Sequence, residues 1–273
     1  MKKIAFITSE KDPASINMKN RLLEKTGFQN KEENPNFELY TLSSDLFLLN
    51  LKKTELIFAD FVEKLVDADF FIFLSKHVSK NKIDGVYVHS IGNFSPDNSY
   101  GGKPNSICYT SSFLIKRLFL ELNEGIEDTS LVIGMEATHH GPYIEKVPCV
   151  FLEIGSSEER WRDEKLAETV IELTLKALKN DKKFSSVIAI GGSHYAPAFI
   201  KIQAASEYAI GHIIPAYAIE HPNFEKRLVA ESVKKTLEGA TAALIDWKGL
   251  RSAERDVILR ELEKINVPVV KIK

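Results

Sequence analysis

Cysteine is nearly absent from these 273 residues: Cys108 and Cys149 stand alone, with no CxxC pair. That argues against a disulfide framework and against a thiolate zinc knuckle. No apolar run approaches the ~20 residues of a membrane span. The opening residues 1–8 are basic but carry too few apolar side chains for a signal peptide. The expectation is a cytoplasmic protein with no membrane contact and no evident stable protein partner. Neither sign of charge dominates. Thirty-six basic and 38 acidic side chains leave a net charge of −2, which disfavours a general nucleic-acid coat while permitting contact with one RNA end. Glutamine occurs only at Gln29 and Gln203 amid abundant Lys and Glu, a balance that leans toward a heat-adapted source. Three familiar catalytic signatures are also missing. Without HExxH no local spacing proves a metal, without GxxxxGK[ST] there is no Walker phosphate loop, and without GxSxG a serine nucleophile is disfavoured.

What is present is a globular composition, 44% hydrophobic and 27% charged, in a chain long enough to bury its own core. Short β-branched and aromatic runs predict strands at 3–8, 36–42, 69–74, 85–91, 131–137, 148–154, 186–190, 212–219, 241–245 and 267–272. Helical patterns fall between many of them, at 13–26, 54–66, 106–123, 157–180, 197–208, 223–238 and 250–264. For 157–180, Ser156 and Glu159 form a capping box. The alternation predicts an α/β fold of three layers, α/β/α, as one domain over residues 1–273. Close spacing of 69–74 with 85–91, and of 131–137 with 148–154, suits hairpins, so the mostly parallel sheet is expected to be mixed.

The histidines carry the functional signal through where they stand. His77, His89, the pair His139-His140, His194 and His221 each follow or close a predicted strand, and His212 opens one. Ligands in open α/β sheets collect beyond strand carboxyl ends, so His77, His89, His139, His140 and His194 are expected to share a cleft. The bland alternative is that polar residues merely cap strand ends. In Glu136-Ala137-Thr138-His139-His140-Gly141-Pro142 the terminal Gly-Pro signals a turn, in which both imidazoles can converge. Imidazole suits Zn²⁺, and Glu136 or Glu153 can complete the sphere or hold a ligand from behind. The expected ligands are His139, His140 and Glu153, with Glu136 on the catalytic side.

Gly191-Gly192-Ser193-His194-Tyr195-Ala196-Pro197 reads as strand, glycine turn and helix start, a geometry suited to a phosphate, carboxylate or oxyanion. His194 and Tyr195 stand beside it as proton donors or acceptors, as His77 does after its own strand. Ser75, Lys76, His89, Asn93, Lys103, Gly191 and Gly192 are the expected substrate contacts, the lysines for phosphates along an RNA end. Solvated surface lysines explain Lys76 and Lys103 equally well.

Five segments in series then carry a resemblance: Ser75-Lys76-His77-Val78-Ser79, His89-Ser90-Ile91-Gly92-Asn93, Ala137 to Pro142, Glu153-Ile154-Gly155-Ser156, and Gly191 to Pro197. Together they resemble the archaeal and plant type of D-aminoacyl-tRNA deacylase across most of the chain. The resemblance implies hydrolysis of the ester joining a D-amino acid to the 3′ end of tRNA, zinc as cofactor, and a core similar to peptidyl-tRNA hydrolase and phosphorylase-like folds. From the residues alone two rivals stay open: a zinc amidohydrolase or peptidase, and a non-catalytic metal- or nucleotide-binding module. Whether zinc serves catalysis or structure is likewise open at this stage.

Overall fold

Strand pleating decides which side chains reach the site. The computed structural model describes residues 2–272. Its strands are β1 (Ile4–Ser9), β2 (Asn30–Glu33), β3 (Phe37–Thr41), β4 (Leu46–Leu51), β5 (Phe70–Lys76), β6 (Gly85–His89), β7 (Gly92–Asn93), β8 (Ser106–Ile107), β9 (Val132–Met135), β10 (Cys149–Gly155), β11 (Ser185–Ile190), β12 (Tyr208–Ile214), β13 (Ala242–Asp246) and β14 (Val269–Ile272). Its helices are α1 (Pro13–Thr26), α2 (Ser112–Gly125), α3 (Glu158–Arg162), α4 (Glu164–Lys179), α5 (Pro197–Ala205), α6 (Ala216–Glu220), α7 (Arg227–Lys234) and α8 (Ser252–Lys264).

The strands divide between an eight-stranded sheet, ordered β2-β3-β4-β1-β5-β10-β6-β9, and a four-stranded sheet, β12-β11-β13-β14, with β7 and β8 as a separate pair. The smaller sheet is wholly parallel. The larger is mixed, with β10 antiparallel to β6 and β9 parallel to β6. This is the expected mixed, mostly parallel α/β architecture, but neither expected hairpin forms. β10 inserts between β5 and β6, and β6 lies between β10 and β9. The connection from β9 to β10 must therefore pass β6, and that crossing segment carries His139 and His140.

In the larger sheet the period-two alternation separates two faces. Phe6, Ile72, Leu74, Val88, Val150 and Leu152 pack with α1, α2 and α4. Phe71, Phe73 and Phe151 point the other way. That second face is covered by two single 3-10 turns, Leu56–Phe58 and Val62–Lys64, where a helix was expected over 54–66. Glu153 and His89 lie on this same face, two positions from Phe151 along β10 and opposite it on β6, respectively.

Two further expectations shift. The helix at 157–180 is broken into α3 and α4 at Asp163, whose carboxylate accepts from Leu166 N at 2.9 Å as a new N-cap. Ser157 rather than Ser156 caps α3, because the Ser156 hydroxyl donates to Ile83 O. The strand expected at 212–219 ends at Ile214, since Pro215 has no N–H to continue a ladder, and α6 follows.

Candidate active site

Histidine and carboxylate side chains from both sheets meet in one place. Glu153 comes from β10, His89 from the end of β6, His77 from just after β5, and Glu136, His139 and His140 from the segment after β9. His194 arrives from the other sheet, in the turn after β11. The expected cleft thus forms, though not at one row of carboxyl ends. β6 and β9 run opposite to β5 and β10, so the site lies across a sheet face, under the crossing segment. His221 lies outside the cluster, its Nδ1 accepting from Asn223 N.

Two short chain-to-chain bonds join the sheets here: Ala137 N donates to His194 O at 2.7 Å and Thr138 N to Ile213 O at 3.0 Å. Beneath them the Thr138 hydroxyl accepts from Ile213 N at 3.1 Å, lies 2.6 Å from the Ser90 hydroxyl and 3.2 Å from His212 Nδ1. Burial, then Lys235, pushes His212 down to about 3, so it is a neutral joint residue at ordinary pH.

His139 and His140 converge because the chain turns sharply between them and Pro142. His140 sits at φ +45°, in the left-handed region. A Cβ on Gly141 would stand 2.2 Å from Gly102 N and 2.4 Å from Ile57 O, so only glycine lets the loops close this tightly. The His139 and His140 ring centroids are 4.3 Å apart, and His89 lies 4.4 and 5.0 Å from them.

Hydrogen bonding fixes the tautomers. A carbonyl oxygen only accepts, so Nδ1–H donates in His89 to Ser90 O (3.1 Å), in His139 to Ala137 O (2.8 Å) and in His140 to Gly141 O (2.5 Å). All three Nε2 atoms then face the cluster as lone-pair donors, the arrangement of metal-ligating histidines whose far nitrogen is held by a carbonyl. Their ligand atoms lie within 4.8 Å of one another.

Beside them His89 Nε2 is buried without a hydrogen-bond partner, 3.8 Å from Glu136 Oε2 and 3.8 Å from Glu153 Oε1. Both Glu136 oxygens also lack a hydrogen-bond partner. His194 Nε2 comes within 3.1 Å of Glu136 Oε1, too poorly aligned to count as a hydrogen bond. Buried lone pairs and carboxylates facing each other call for a cation, and the donor set of imidazole nitrogen and carboxylate oxygen suits Zn²⁺.

The same crowding sets the charges. Burial penalises the Glu153 carboxylate, yet His140, His77 and His89 around it hold its pKa well below the ordinary value. For His89, burial opposes the charge but Glu153 and Glu136 outweigh it and raise the pKa. Burial and the neighbouring imidazoles of His140, His89 and His194 keep His139 well below the ordinary histidine range. His77 Nδ1 lies 3.2 Å from Glu153 Oε2 and 3.6 Å from Glu136 Oε2, with the Tyr195 hydroxyl 3.5 Å from its other nitrogen. His77, His89, Glu136 and Glu153 form the buried floor, and the part-exposed His139 and His194 form the mouth.

Several expected substrate contacts stand elsewhere. The Ser75 hydroxyl donates to Asp12, as does Lys76 N, so Ser75 secures the N-cap of α1. Asn93 uses its amide to hold Gly101 O at 2.9 Å, shaping the glycine-rich loop. Lys76 Nζ is 5.7 Å from the Trp161 ring centre and Lys103 Nζ 5.3 Å from that of Tyr143. The turn at Gly191-Gly192 is not the expected anion cradle. Gly191 N already donates to Ile214 O, and the Asp246 carboxylate stands across the turn, 3.2 Å from where a Cβ on Gly192 would be. Tyr217 was not singled out in the sequence, although it too follows a strand, β12. Its hydroxyl is 3.2 Å from His194 Nδ1. Although half the residue is exposed, burial first and Glu136 second push that hydroxyl up to about 12, so it stays protonated.

Known proteins resemble this chain over nearly its whole length. The family model described as D-aminoacyl-tRNA deacylase matches residues 65–270. The D-aminoacyl-tRNA deacylase of Thermococcus kodakarensis is 32% identical, over 97% of this chain and 98% of its own length. That of Archaeoglobus fulgidus is 34% identical, over 98% and 95%. A crystal structure of a conserved protein of unknown function, AF0625, superposes with a TM-score of 0.91 at 31% identity, covering 99% of this chain and 95% of that one. The chain belongs to the D-aminoacyl-tRNA deacylase family.

Proposed function

We propose that this protein hydrolyses the ester between a D-amino acid and the 3′ end of tRNA, releasing free D-amino acid and tRNA. Family membership over nearly the whole chain carries the reading, and the buried histidine–carboxylate cluster gives it chemistry. An aminoacyl ester is already activated, so the site needs a positioned water, a proton acceptor and stabilisation of the tetrahedral oxyanion.

Glu136 is the proton acceptor in this reading, because its carboxylate is buried at the centre of the cluster with both oxygens free of hydrogen bonds. His194 is the hydrogen-bond donor. With the Tyr217 hydroxyl donating to Nδ1, the neutral ring carries its hydrogen on Nε2, 3.1 Å from Glu136, and can turn it to the oxyanion, while the proton that Glu136 takes from water passes to the leaving 3′ oxygen. His77, held between Glu153 and Glu136 with Tyr195 behind it, fixes the orientation of both carboxylates. His89, His139 and His140 are the residues that would hold zinc, with Glu153 at its edge, 3.8 Å from His140 Nε2. This moves His89 from the substrate to the metal group. When bound there, zinc supplies Lewis acidity and acidifies water beside the cluster. Lys76 and Lys103 remain candidates for phosphate contacts of the acceptor end.

The test is turnover of D-tyrosyl-tRNA by the purified protein. Release of D-tyrosine is expected. Cleavage of acylamino acids with no release from tRNA would assign the cluster to an amidohydrolase instead.

A further inference from the structure

A second concavity adjoins the cluster, with a volume of about 520 Å³, within the size range of small-molecule sites. It lies at the carboxyl ends of the parallel four-stranded sheet. α5 leaves β11 toward the face that carries Phe199, while the chain after β13 leads to α8 on the opposite face, with Ile258 and Leu262. β11 and β13 are neighbours, so their connections part to opposite sides and open a crevice between them. That is the topological switch point at which open α/β sheets take ligands.

The walls specify what fits. Ala196, Pro197, Ala198, Phe199, Ala216 and Tyr217 give an apolar slot, with the Tyr217 ring half exposed at its edge. Its polar end is negative, from Asp246 and Glu220. Glu220 has a partner, Arg251, at 3.7 Å. Asp246 accepts from Gly249 N at 3.0 Å and has no cation within ion-pair distance among the described residues. A phosphate is therefore repelled, and the favoured ligand is a flat, uncharged ring that offers N–H donors. The slot shares a wall with the reactive cluster: Ser193 lines it, His194 is next in the chain, and Tyr217 contacts both.

We infer that this crevice binds the adenine of the tRNA's terminal adenosine, stacked along Tyr217 with its exocyclic amino group donating to Asp246. The inference rests on the hydrolase reading above, and it names a subsite common to every substrate whatever its amino acid. Reading a splayed-out terminal base by stacking and by its hydrogen-bonding edge is the usual way single-stranded RNA ends are recognised.

The experiment measures inhibition of D-tyrosyl-tRNA hydrolysis by adenosine, inosine and D-tyrosine, in the wild-type protein, Asp246→Asn and Ala198→Trp. Adenosine is expected to inhibit the wild type at least tenfold better than inosine, whose oxygen at that position would face a carboxylate. Asp246→Asn, whose amide can donate, should shrink that preference, and its remaining side-chain oxygen preserves the bond from Gly249. Ala198→Trp, which fills the slot, should raise KM by tenfold or more and change kcat by less than threefold. Equal inhibition by the two nucleosides, or by neither, would overturn the inference while leaving hydrolysis established. Inhibition by D-tyrosine that Ala198→Trp abolishes would assign the crevice to the amino-acid side chain and overturn it too. Absence of hydrolysis by the wild type would instead reject the underlying reading.

Discussion

His194 Nε2, carried by the turn after β11 in one sheet, lies 3.1 Å from Glu136 Oε1, which follows β9 in the other. The reactive pair therefore exists only when the two sheets are docked. Substituting His194 with Ala should lower kcat by about 10²-fold or more, the usual scale for loss of an oxyanion donor, while tRNA affinity changes little. A raised KM with kcat unchanged would place His194 in binding instead.

Glu136→Gln removes a buried carboxylate that faces His77, His89 and His194, so the metal-free protein should melt lower. Hydrolysis should also fall by about 10²-fold. A variant that melts lower yet keeps its activity would contradict the assigned role.

Metal content separates the imidazoles. Substituting His89, His139 or His140 with Ala should abolish bound zinc in elemental analysis, whereas His194→Ala should retain it; loss of zinc from that variant too would place the metal at Glu136, His139 and His194, another group close enough to hold it. Chelation should stop turnover and added Zn²⁺ should restore it. Full activity in metal-free protein would reject a catalytic zinc and leave the deacylase assignment intact.

The joint between the sheets has its own pH signature. His212 is held at about 3 in the folded chain, below the ~6.5 of a free imidazole. Below that ordinary value the unfolded chain takes up a proton that the folded chain refuses. The contribution is thus full above about pH 6.5 and declines as pH falls toward 3, by up to about 1.4 kcal/mol per pH unit. Denaturant midpoints compared at pH 7 and pH 5 should fall more for the wild type than for His212→Gln. Parallel declines would show that His212 is not the titrating group.

The sequence disclosed much of this through strand ends. Ten short apolar runs anticipated ten of the strands, and placement at strand ends brought His77, His89, His139, His140 and His194 into one group. What it could not disclose was pairing. Spacing suggested that β9 would meet β10 directly, but the slot beside β10 is filled by β6, a long-range choice invisible to local pattern. The same limit hid the roles of Ser75 and Asn93, whose polar groups are taken by Asp12 and by Gly101, residues that only the folded chain brings near. Asp246 and Tyr217 were overlooked because one merely ends an ordinary strand and the other follows one, until β11, β12 and β13 lie side by side.

The most direct measurement is the release of labelled amino acid from D-tyrosyl-tRNA and L-tyrosyl-tRNA at matched concentrations. Choosing one enantiomer requires ester carbonyl, amino group and side chain to be fixed together, and a site built for one leaves polar groups unpaired with the other. The account predicts rapid release of D-tyrosine and a rate for L-tyrosine near that of uncatalysed hydrolysis. Equal release from both would contradict it.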